Sequence, residues 1–128
     1  MNSKGLASIA ALVSALLTAM PLHAQVATGA ILGNVSDSSG AAVPGATVTA
    51  TNVDTQLTRD TTTDESGQYA LRLLPLGNYK VEVTLTGFKT FSQTGILLEV
   101  GRNARIDATI EPGSVTESVS VVGNAPLV

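Results

Sequence analysis

The chain has 128 residues, room for one domain and little more, and 44% of them are apolar against 13% charged. The formal net charge is −3 and the basic residues are scattered singly, which argues against nucleic acid or an anionic membrane surface as partner. With no cysteine there is no thiol catalysis and no Cys-ligated metal, and the single histidine is His23.

In chain order, a short basic start ending at Lys4 leads into an apolar run from Leu6 to Met20, followed by Pro21 and the small residue Ala24. This is the layout of a secretory signal peptide over residues 1–24, cleaved after Ala24. As a membrane anchor the run is shorter than the roughly 20 apolar residues a span needs, and Ser8, Ser14 and Thr18 dilute it. The mature chain is then expected to start at Gln25 with no transmembrane segment. Its net charge is −4, because only Lys4 leaves, and it holds no histidine.

The mature region reads as strands separated by turns. Thr28 to Ser36 sets Gly29, Ile31, Gly33 and Val35 on one face, and Asp37-Ser38-Ser39-Gly40 has the Asp-first, Gly-last form of a type I turn. Val43-Pro44-Gly45 reverses the chain into a second strand, Ala46 to Asp54. A third, Leu57 to Thr63, is rich in threonine and reads as an edge exposed on both sides. Asp64-Glu65-Ser66-Gly67 repeats the earlier turn. Tyr69, Leu71 and Leu73 then alternate with Ala70 and Arg72, and Leu74-Pro75-Leu76-Gly77 turns back. Tyr79, Val81, Val83 and Leu85 alternate with Lys80, Glu82, Thr84 and Thr86, the two-residue period of a strand buried on one face.

After Gly87, a sixth strand runs from Phe88 to Val100, with Ile96, Leu98 and Val100 on one face. Beyond Gly101-Arg102-Asn103 a seventh runs from Ala104 to Glu111, stopped by Pro112-Gly113. Seven short strands with regular turn signals predict an all-β, Greek-key β-sandwich over residues 27–112. Residues 113–128 alternate Val115, Glu117, Val119 and Val121 with Thr116, Ser118 and Ser120, then meet Gly123, Asn124 and Pro126. They read as an extended linker with nothing to pack on.

Little catalytic chemistry remains. No catalytic residue, metal ligand or cofactor is expected. Turn formation already accounts for Asp37 and Asp64, the spacing of a calcium loop is missing, and nothing supplies a cleft for a glycosidase pair at Asp54 or Asp60. Of the four aromatics, Tyr69 and Tyr79 share faces with core residues. Phe88 and Phe91 are left either to plug one end of the sandwich or, less readily, to face a glycan.

The motifs Gly29-Ala30-Ile31-Leu32-Gly33-Asn34-Val35, Asp37 to Gly40, Val43 to Val48, Thr63 to Tyr69 and Leu74 to Val81 through Gly87-Phe88 resemble the carboxypeptidase regulatory-like domain. That resemblance implies a seven-stranded, prealbumin-like sandwich without catalytic activity. Similar folds occur in starch-binding-like modules, so a secreted carbohydrate-binding module is the alternative. A leader, this domain and a tail of Val115 to Val122 followed by Ala125 to Val128 together resemble the start of Oar-like TonB-dependent outer-membrane receptors; the plug and barrel of such receptors are absent here, so the chain is expected to be a truncated or fragmentary N-terminal part of one, or the domain stands alone. The resemblance implies a periplasmic accessory domain associated with the outer membrane. Its partners would be TonB or the plug and barrel, and the partner-binding strand would be Glu117, Ser118, Val119, Ser120, Val121 and Val122, a segment suited to adding to a sheet edge.

Overall fold

The computed structural model describes Pro21 and residues 25–113, 118–123 and 126–127. The expected leader, Pro21 apart, and Glu117 lie outside these residues. The described chain is all β, with nine strands in two facing sheets. They are β1 (Thr28–Asp37), β2 (Thr47–Asn52), β3 (Thr58–Thr62), β4 (Gln68–Pro75), β5 (Gly77–Thr84), β6 (Thr90–Leu98), β7 (Ala104–Arg105), β8 (Ala108–Ile110) and β9 (Ser118–Val122). The larger sheet runs β3-β2-β5-β6-β9. In the smaller, β1 pairs with β4 on one side and with β7 and β8 on the other.

Between the sheets lies one core. Val48, Ala50, Tyr79, Val81, Val83, Ile96 and Leu98 face Ile31, Val35, Tyr69, Leu71, Leu74, Ile106 and Ile110 across it, and all are buried. The alternation read for β5 holds residue by residue, because Tyr79, Val81 and Val83 point inward while the intervening side chains meet solvent. The third strand is exposed along almost its whole length, as its threonines suggest.

Four local expectations change. Leu73 does not join Tyr69 and Leu71 in the core. It takes a φ of 56° and is 73% exposed, and Leu74 is buried in its place. The cause is a bulge. Between the pairs Ile31↔Leu71 and Gly29↔Leu74, two residues of β4 stand opposite one of β1, so the alternation skips a step. Val100 lies past the end of β6 in an exposed turn.

The seventh strand is split into β7 and β8, which both pair with β1 in parallel. At the split, Ile106 N–H donates to the Leu32 carbonyl at 2.8 Å, as a parallel ladder requires. The Ile106 carbonyl instead accepts from the Tyr69 hydroxyl at 2.6 Å, and Asn34 N–H donates to Asp107 Oδ1 at 2.9 Å. Finally, the tail does have something to pack on. Ser118–Val122 forms β9 on the edge of β6.

Tyr69 stands directly opposite Gly33 in the β1–β4 ladder, yet its hydroxyl reaches Ile106 on the far side of β1. Only glycine leaves the space for this, since a Cβ on Gly33 would lie 1.8 Å from the Ile106 carbonyl oxygen. Gly33→Ala is therefore expected to destabilise the fold by about 3 kcal/mol or more, because the clash is with backbone. Tyr69→Phe, which leaves that carbonyl without its donor, should cost about 1–2 kcal/mol. Urea denaturation measures both, and a Gly33→Ala midpoint equal to that of the parent would show that β1 and Ile106 are not in contact.

Burial, reinforced by the Asp107 carboxylate and opposed by Arg105, raises the Tyr69 pKa well above the ordinary phenol value. Above about pH 10 the unfolded chain therefore loses a proton that the folded chain keeps, so the stabilisation is complete below that pH and fades as pH rises further. The fall in denaturation midpoint above pH 10 should be smaller in Tyr69→Phe than in the parent.

Candidate functional site

The turns read from sequence form as expected. Asp37 Oδ1 accepts from Ser39 N–H at 2.9 Å, Ser39 Oγ at 2.6 Å and Ala41 N–H at 3.1 Å. The Ser39 hydroxyl holds the Asp37 carboxyl below its usual pKa; desolvation opposes this, and the backbone amides of Ala41, Ser39 and Gly40 add to the lowering. Asp64 Oδ1 likewise accepts from the N–H groups of Ser66 and Gln68, each at 2.9 Å. Both carboxylates are thus engaged in shaping their own turns.

The candidate ligand-facing aromatics do not form a platform. Phe91 is 6% exposed and belongs to the core. Phe88 is half-buried against the same cluster, at the end of the sandwich where it bridges to Pro112. Next to it, Lys89 N–H donates to the Glu111 carbonyl at 2.8 Å, so the start of β6 is tied to the end of β8. Phe91 thus lies in the core and Phe88 packs against its margin.

Of the candidate partner-binding strand, the structure describes Ser118 to Val122 and assembles them as β9, in parallel with β6. The register pairs Thr90 with Ser118, Phe91 with Val119, Ser92 with Ser120, Gln93 with Val121 and Thr94 with Val122. Neighbours in such a ladder share a face, so Val119 and Val121 sit on the side of the buried Phe91 ring, while Ser118, Ser120 and Val122 lie on the outer face. The valines stay accessible, with Val119 36%, Val121 40% and Val122 82% exposed. Just beyond the ladder, Gly95 has a φ of 72°, and a Cβ there would come within 3.0 Å of the Gly123 carbonyl oxygen. Further on, the Pro126 carbonyl accepts from Arg105 N–H at 3.1 Å and Leu127 bridges to Ala104. The tail therefore joins β6 of the larger sheet to β7 of the smaller.

A second feature escapes a reading of the sequence. A shallow cavity of about 490 Å³ lies on the outer face of the smaller sheet, bordered by Asn34, Gln68, Arg72 and Arg105. Arg105 Nε is bound to Asp107 Oδ2 at 3.1 Å, which neutralises much of its charge locally. These residues look scattered in sequence, and only the pairing of β1 with both β4 and β7 brings them together.

Two sheets over a single core, with turn carboxylates engaged in their own turns and accessible strands at the two ends of the larger sheet, define a β-sandwich domain that offers edges and loops. Residues 30–111 match the carboxypeptidase regulatory-like domain, and the chain belongs to that family. It is also 30% identical over 99 residues to the TonB-dependent transporter Oar of Myxococcus xanthus, a match that covers 77% of this chain and 9% of the transporter.

Among solved structures, the Bacillus anthracis TIE protein superposes with a TM-score of 0.55 at 20% identity, over 67% of this chain and 17% of that one. A protein from Bacteroides uniformis described as carbohydrate-binding gives 0.54 at 18% identity, over 66% and 41% of the respective chains. Catechol 1,2-dioxygenase from Acinetobacter gives 0.54 at 13% identity, over 81% and 60%. At these identities the three share the fold.

Because the Phe91 ring is core, Phe91→Ala should lower stability by about 3–5 kcal/mol in chemical denaturation. An unchanged midpoint would return that ring to the surface.

Proposed function

We propose that this chain is a non-catalytic binding domain of a TonB-dependent outer-membrane receptor, exported by its leader and acting in the periplasm. Ser118–Val122 is its contact for TonB. What carries this reading is the coincidence of two observations. The chain is similar to a TonB-dependent transporter, and the segment suited to recruiting a partner is already extended, with its side chains accessible, at the margin of the larger sheet. Backbone groups along such a margin can take a further strand, which gives affinity without needing a cleft. The plug and barrel of the receptor are the other partners that this role implies.

Composition and the engagement of the turn carboxylates support the non-catalytic reading. The one histidine lies in the segment expected to be removed, there is no cysteine, and Asp37 and Asp64 are bound into their turns. The carbohydrate-binding alternative has a fold relative in its favour but lacks an exposed aromatic platform, because Phe91 is buried.

A pull-down with the periplasmic domain of TonB, comparing the mature chain with a variant lacking residues 115–122, tests the assignment. Retention of TonB by the mature chain and its loss from the shortened one is the expected result. Equal capture by both would remove the tail as the contact.

A further inference from the structure

The cavity of about 490 Å³ on the outer face of the smaller sheet falls within the roughly 300–1,000 Å³ range of small-molecule sites. Its floor is aliphatic, because Leu32 stands between Ala70 on β4 and Arg105 on β7. Neighbouring strands are spaced by about 4.8 Å, so Arg105 and the side chains of β4 rise about 10 Å apart across β1.

Arg105 is held in place. Its Nε donates to Asp107 Oδ2 at 3.1 Å, and with the Asn34 amide turned to satisfy both of its ends, Arg105 Nη2 donates to Asn34 Oδ1 at 3.3 Å. A guanidinium has five N–H donors, so these bonds leave others for a ligand, although Asp107 offsets the charge. Arg72 is different. It stands at the bulge of β4, where a strand can re-aim a side chain, and it makes no ion pair among the described residues. Gln68 meets the Asp64 turn through its backbone N–H and carbonyl, not through its side-chain amide. Asp64 borders the cavity beyond Gln68, at the end away from Arg72.

We propose that this face binds a uronic acid, a sugar bearing one carboxylate. Arg72 takes the carboxylate, Arg105 and the Gln68 amide bond the hydroxyls, and the apolar face of the ring lies on Leu32 and Ala70. One uncompensated cation suits a single negative charge, whereas a phosphate or sulfate dianion would meet Asp64 and Asp107 with too little to balance it. The position of Asp64 sets the direction, with the carboxylate toward Arg72 and the hydroxyls toward Gln68. This site goes beyond the receptor reading and does not depend on it. It also needs no aromatic platform and lies on the other sheet from Phe91.

The purified chain is titrated with galacturonate, glucuronate and a galacturonate trimer, following backbone amide shifts by NMR, with galactose and succinate as controls. Saturable shifts are expected at Leu32–Asn34, Gln68–Arg72 and Arg105 with at least one uronate, and binding of galactose and succinate about fivefold weaker or less. Arg72→Gln should weaken the uronate by about tenfold with its own spectrum otherwise unchanged, while Arg102→Gln, which removes an exposed cation elsewhere, should leave it as it was.

Galactose binding as tightly as the uronates would show that charge plays no part, and succinate doing so would show that the sugar plays none; either overturns the assignment. Equal losses in Arg72→Gln and Arg102→Gln would reduce the effect to diffuse attraction and overturn it too, as would the absence of shifts on this face with every probe. The trimer separates a free acid from a residue within a chain. Affinity gained beyond the threefold that its three units give by number alone points to the chain, affinity at or below that to the free acid, and both uphold the site.

Discussion

The hydrogen bond from the Tyr69 hydroxyl to the Ile106 carbonyl, made past a glycine, is the contact on which the rest of the arrangement depends. It joins β4 to the β7–β8 segment across β1, so one buried phenol couples three consecutive positions in the smaller sheet. Drawing the Ile106 carbonyl out of the ladder deprives Asn34 N–H of its usual partner, and Asp107 Oδ1 supplies the replacement. Arg105 in turn holds Asp107 through its other oxygen. A break that looks like a defect in the seventh strand is therefore fully compensated, as buried backbone groups require. The same break fixes where β7 stands, and β7 is the anchor for Pro126 and Leu127 at the end of the tail.

Without disulfides the loops are held by side chains bonded to backbone. At one end of the sandwich the Thr63 hydroxyl donates to the Val43 carbonyl at 2.7 Å and accepts from Ala46 N–H at 2.9 Å, clasping the Val43-Pro44-Gly45 turn. Gly67 lies against the carbonyl of Val35, where a Cβ would come within 2.5 Å, and its own carbonyl accepts from Val35 N–H. At the opposite end the Tyr79 hydroxyl donates back to the Pro75 carbonyl, tightening the β4–β5 turn, and buried Asn52 accepts from the N–H groups of Asp54 and Thr55. Each bond contributes about 1 kcal/mol net, but each also satisfies a polar group whose burial would otherwise be costly. The two tyrosines serve both sheets in this way, with rings in the core and hydroxyls on backbone.

Much of this was legible because it is local. The alternation of β5, the two Asp-to-Gly turns and the exposed threonines of β3 are each set by residues within a few positions of one another. What could not be read depends on partners far away in sequence. Leu73 is apolar and in phase with Leu71, and only its placement against β1 shows that the phase slips there. Asn52 looks like an ordinary turn residue, and its burial follows from the β2–β5 pairing. The division of the seventh strand needs Tyr69, 37 positions earlier. For the tail, alternation of Ser and Val correctly signalled extended chain, but a strand of five small residues encodes no partner. Its place beside β6 comes from an edge that the other strands create.

That origin bears on what the tail can do. A flexible tether offers a partner a peptide that must be ordered on binding, at an entropic cost for each residue fixed. Five residues already extended along β6 have met that cost within the fold. The price of keeping this strand accessible is modest stability at the margin, since its valines remain partly exposed and contribute only part of their transfer free energy. The central strands carry the core while β9 adds little to it. The anchor at β7 limits the freedom of that edge, because the chain on the far side of Gly123 is held to the smaller sheet through Arg105. The edge formed by β9 is therefore fixed by both sheets.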